Sequence, residues 1–104
     1  MTKILEIGRN VKVSGTSFHG VTLHTTVGEL HRVLGDPTYT CGDKTNFEWD
    51  IRVQHGDEEI VATVYDWKEY WVGEDTPIYF HIGGFSADDT MVVKEHLAKL
   101  LSEK

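Results

Sequence analysis

Between residues 46 and 84 the chain runs through three successive stretches of alternating apolar and polar side chains, and this alternation limits the fold more than any other feature. Phe47, Trp49, Ile51 and Val53 fall on one side of an extended backbone, and Glu48, Asp50, Arg52 and Gln54 on the other. A period of two marks a strand with one buried and one wet face. His55-Gly56-Asp57 supplies a tight turn, after which Glu58 to Trp67 alternates again. Facing Val53 with Ile60 pairs Ile51 with Ala62, Trp49 with Val64 and Phe47 with Asp66. That register gathers the apolar residues on one face, and a slip of one residue would put them all in water. Asp66 is the misfit, so the strand is expected to end or bulge there. A polar loop from Lys68 to Pro77 carries Tyr70 and Trp71. The third strand, Ile78 to Ile82, turns Ile78, Phe80 and Ile82 inward and Tyr79 and His81 outward, and Gly83-Gly84 ends it.

Helices are signalled on either side. Thr26 and Glu29 have the spacing of a capping box, and Val27, Leu30, Val33 and Leu34 form an apolar stripe at steps of three and four. Gly35 suits a left-handed cap and Pro37 blocks continuation, which predicts a helix over 26–34. Ser86 with Asp89 starts a second helix over 87–102. Met91, Val92, Leu97, Leu100 and Leu101 are available to cover the sheet, and Lys94 and Lys99 lie toward the negative end of its dipole. Residues 1–10 read as a short edge strand or a loose tail. Val11–Ser14 and Val21–Leu23 read as short strands that form a hairpin around the loop GTSFHG. The expected fold is α+β: an antiparallel β-meander of three or more strands with two helices packed on one face, residues 1–104 forming a single domain.

Composition narrows the function by exclusion. A chain of 104 residues buries roughly 65% of its unfolded surface, enough for a modest core. The net charge of −7 argues against direct nucleic-acid binding, which depends on clustered Lys and Arg. It fits a solvated surface, or one complementary to a basic partner. No apolar run approaches a membrane span, and the start MTKILEIGRN has no signal-peptide core, so a cytoplasmic protein is expected. Cys41 is the single cysteine and has no neighbouring histidine to activate it. The six histidines show no HxH, HxxxH or HExxH spacing, and His31 and His96 read as surface residues on helices. No metal or cofactor is expected.

The outer face of the three strands is where function is sought. It collects Glu48, Asp50, Arg52, Thr63, Tyr65, Trp67, Tyr79 and His81. Tyr and Trp combine an apolar ring with a polar tip, which suits ligand or partner binding. The same rings also stabilise strands by packing across them, at roughly 0.2–1 kcal/mol per pair. Glu48 and Asp50 could act as a carboxylate pair but read first as solvated charges on a strand. GTSFHG and Gly83-Gly84 lie near predicted helix starts, where free N–H groups bind anions, although neither matches a phosphate-loop fingerprint and tight turns are the first explanation of both. A bound nucleotide would set its phosphates by these loops and its base against Trp67, Trp71 or Phe18.

The segments GTSFHG, Phe47-Glu48-Trp49, ATVYDWK (62–68) and HIGG (81–84) resemble small accessory proteins of bacteriophages and prophages. The similarity covers most of residues 14–84 and carries no site residues with it. It implies a protein that acts by binding and blunts host defence, either by sequestering a nucleotide signal or by docking on a host protein. The first expectation is therefore a non-enzymatic protein that captures a small anionic nucleotide-derived ligand through Phe18, His19, Arg52, Tyr65, Trp67, Tyr79, His81, Gly83 and Gly84. The alternative is an acidic inhibitor covering a host protein's nucleic-acid site with Glu48, Asp50, Glu58, Glu59, Glu69, Glu74 and Asp75. A small hydrolase built on Glu48, Asp50 and His81 stands third. A homo-oligomer paired through the outer face is also expected.

Overall fold

A computed structural model describes residues 2–40, 46–67 and 73–103. Its elements are β1 (Thr2–Ile7), β2 (Ser17–Thr25), α1 (Val27–Leu34), β3 (Tyr39–Thr40), β4 (Phe47–His55), β5 (Glu58–Tyr65), β6 (Ile78–Gly84) and α2 (Ala87–Ser102). Six strands form one antiparallel sheet in the order β1-β4-β5-β6-β2, with β3 paired to the start of β4. The β4–β5 register is the one the apolar alternation requires: Trp49 faces Val64, Ile51 faces Ala62 and Val53 faces Ile60. β6 continues the meander, with Val64 opposite Ile82.

The inner face and the two helices enclose one core of Trp49, Ile51, Val53, Ile60, Ala62, Val64, Phe80 and Ile82 with Leu30, Val93 and Leu97. The Thr26 side chain accepts from the Glu29 backbone N–H at the start of α1. Glu29 does not complete the capping box but pairs with Arg32 at 2.6 Å. Gly35 takes a φ of 81° at the other end, and its carbonyl accepts from the Trp49 indole N–H at 3.0 Å. Ser86 caps α2 by accepting from the Asp89 N–H. Thr90 and Val93 join Leu97 in facing the sheet, whereas Met91 is exposed.

β5 ends at Tyr65, and Asp66 is fully buried. Its carboxylate accepts from the backbone N–H groups of Asn46 and Phe47 and from the Asn46 amide, each at 2.8 Å. A buried charge is tolerable when its lone pairs are filled in this way. The misfit residue is thus the clamp that holds the start of β4 to the end of β5.

The predicted hairpin of 11–14 with 21–23 does not form. Residues 2–7 are an edge strand, and β2 lies at the opposite edge, paired with β6. Turn chemistry outweighs strand propensity between them: Gly8 and Gly15 have φ of 132° and 93°, and both the N–H and the hydroxyl of Thr16 donate to the Val13 carbonyl. A connection between opposite edges must cross the sheet. Val11 is buried without belonging to the main core, while Asp50 and Thr63, which point away from that core, are 1% and 7% exposed. The crossing segment 8–16 therefore roofs part of the outer face, which is not the wholly wet surface the alternation implies.

Candidate ligand-binding site

Beyond the roof, the outer face presents a group of rings. His81 on β6 stacks on Phe18 of β2, with centroids 4.0 Å apart and planes 15° apart. Trp67, two residues past the ring of Tyr65, lies 6.2 Å from His81 at 25°, and Tyr65 meets both edge-on at 6.1 and 5.6 Å. Period-two geometry explains the grouping, since Tyr65 is directly opposite His81 and Trp67 follows on the same side. Phe18 and Trp67 remain 41% and 38% exposed. The result is a platform of nearly parallel rings, backed by Tyr65 and open to solvent. Tyr79 belongs to a separate pair, stacked on His24 at 4.3 Å.

The charged neighbours are distributed unevenly. Burial lowers the pKa of His81, so its ring is neutral at pH 7 and serves as a stacking surface. Tyr65 is raised by burial and then by the charge of Glu48, which stands opposite it. Asp50 is raised to about 8 by burial, by a hydrogen bond with Glu48 and by Glu48's charge. It is therefore a protonated acid near neutrality, one of whose oxygens, Oδ1, is buried without a partner among the described residues. The reading of Glu48 and Asp50 as two solvated charges is corrected: the roof excludes water, and two carboxylates so close keep one proton between them. Asp50 is also out of reach of a substrate, which removes the central residue of the hydrolase constellation.

Several proposed contacts are committed elsewhere. Arg52 is bound to Glu6 at 3.3 Å and to Glu59, so its charge is already neutralised. His19 Nε2 hydrogen-bonds the Gly84 carbonyl at 3.0 Å. Gly83 and Gly84 end β6 as the sequence implies, but both are buried and paired with Phe18 and Ser17 of β2 instead of standing beside an open loop. A Cβ on Gly83 would come within 2.6 Å of Thr63 Oγ1, and one on Gly84 within 2.9 Å of Thr90 Cγ2. Their missing side chains make room for neighbours, not for a phosphate. GTSFHG likewise is not a loop at the start of α1: its second half is strand, with a bulge between Phe18 and Thr22.

Sequence reasoning found the platform rings but could not group them, and it missed the roof, whose only trace is the apolar Val11 among turn residues. Trp71, Cys41 and Glu69 lie outside the described residues. Among the described residues there is no group of three potential metal ligands and no helix long and apolar enough to cross a membrane. Among the described residues, the acids of the alternative reading sit at separate places in the fold. Glu58 and Glu59 sit at the start of β5, whereas Glu74 and Asp75 lie beyond its end against α1, where the Glu74 carbonyl accepts from the Gly28 N–H. No protein-family model, curated protein or solved structure matches the chain.

Proposed function

We propose that this chain is a non-enzymatic binding protein of phage type that sequesters a small nucleotide-derived molecule by its base, a role suited to counter-defence. The observation that carries the reading is the ring cluster in which exposed Phe18 and Trp67 stack with half-buried, neutral His81. Base–aromatic stacking contributes roughly 1–3 kcal/mol per base and needs no cation. With Arg52 neutralised and Glu48 at the platform's margin, the base is the part gripped, and the ligand's anionic groups extend off the sheet away from Glu48. Phe18 and His81 are already in contact, so the base lies over the rings and not between them.

Calorimetric titration with cyclic dinucleotides, ADP-ribose derivatives and the matching nucleosides tests this. At least one base-bearing compound should bind saturably, with its nucleoside retaining much of the affinity. Trp67→Ala should weaken that binding about tenfold or more, the loss of one stacked face. Arg52→Met should leave it within about twofold, because no free charge is lost. A flat response across the panel overturns the reading.

A further inference from the structure

A second site lies on the other side of the molecule, where α2 passes the paired ends of β1 and β4. Val92, Glu95, His96 and Lys99 project from one stripe of the helix, and Thr2 and His55 face them from the sheet, around a cavity of about 440 Å³. That volume is within the range of small-molecule sites, roughly 300–1,000 Å³. Its polar groups are mostly proton donors or potential cations. Thr2 and His55 are register partners, and the Thr2 hydroxyl meets His55 Nδ1 at 2.7 Å. This contact fixes the ring and leaves Nε2 without a hydrogen-bond partner among the described residues. His96 and Lys99 lie one turn apart on the helix. Glu95 stands four residues before Lys99, the usual pairing distance on a helix, yet forms no ion pair with it. The ammonium is therefore available to a ligand, and Val92 supplies an apolar wall.

We propose that this cavity binds a small organic oxyanion, a phosphate monoester or carboxylate joined to a compact apolar group. The Lys99 ammonium supplies charge, the His96 and His55 ring N–H groups donate to the oxygens, and Val92 packs on the apolar part. Burial and the nearby Lys99 lower the His96 pKa against the weaker opposing pull of Glu103, so the empty site holds a neutral imidazole. An oxyanion between His96 and Lys99 reverses that balance and draws a proton onto His96. The other charged groups on this side are Glu95 on α2, which lines the cavity, and Glu58 on β5, the register partner of His55.

The test is a two-dimensional NMR titration of the full chain at about pH 6.5 with phenyl phosphate, benzoate and, as the neutral probe, benzyl alcohol. Phenyl phosphate or benzoate should give saturable shifts at Thr2, His55, Val92 and His96, and their ratio tells which oxyanion is preferred. Benzyl alcohol should bind at least about tenfold more weakly. Lys99→Met, at an exposed position, and His96→Gln, at a half-buried one, should each weaken oxyanion binding about tenfold, with unchanged far-UV spectra. The His96 imidazole pKa should rise on saturation, which an apolar groove alone would not cause. Absence of saturation, shifts confined to the ring platform on the opposite face, or equal affinity in both variants overturns the proposal.

Discussion

Replacing Asp50 with Asn should remove much of the pH dependence of stability between weakly acidic and neutral conditions. Asp50 is 1% exposed, and its carboxyl is raised from 3.8 to about 8 by burial and by Glu48. Unfolded, the group ionises near the ordinary carboxylate value; folded, it keeps its proton until about pH 8. Its favourable balance is therefore complete below the unfolded value and is lost as pH rises through the folded one, because the unfolded chain releases a proton that the native state retains. One proton corresponds to about 1.36 kcal/mol per pH unit. Going from about pH 5 to about pH 7 should thus cost the wild type on the order of 2–3 kcal/mol. For a domain of this size that is a fall in Tm of more than about 10 °C. The variant's amide donates to Glu48 as the protonated carboxyl does, and it does not titrate. Urea unfolding of both proteins at the two pH values isolates the effect, since all other titrating groups are shared. The stability gap should widen in favour of Asp50→Asn as pH rises. Parallel pH profiles would refute the reasoning and mean that Asp50 ionises normally beneath the roof.

Four further outcomes are expected. Gly83→Ala should destabilise the fold by about 1–3 kcal/mol in chemical denaturation, because its Cβ would press on Thr63 Oγ1 at 2.6 Å; adding Thr63→Ala should recover part of that loss. Asp66→Ala removes the acceptor of three hydrogen bonds from Asn46 and Phe47 and should cost about 3 kcal/mol or more by the same assay. Thr26→Ala removes the cap on α1 and should lower stability by about 1 kcal/mol. Arg52→Met, by contrast, breaks half-exposed ion pairs and should change stability by less than about 1 kcal/mol, less still in high salt.

The local patterns in the chain were sufficient for its elements and for one register. Alternation from Phe47 to Val64 leaves a single pairing that buries Trp49, Ile51 and Val53 together, and the cap residues Thr26, Gly35 and Ser86 mark helix ends through bonds made within a few residues. The rings of Tyr65, Trp67 and His81 were likewise readable as outward-facing. What pattern could not supply was the path of the chain between distant edges. Nothing in residues 8–16 says that they cross from β1 to β2, yet that crossing turns Asp50 from a solvated carboxylate into a buried acid. It was equally silent on partners far apart in sequence: Arg52 with Glu6, His19 with Gly84, Thr63 against Gly83, His55 across from α2. Periodicity reports which side of an element is apolar, a property of neighbours along the chain. Whether a polar group on the other side meets water, a roof or an opposite charge depends on which remote segment lies over it, and only the tertiary structure decides that.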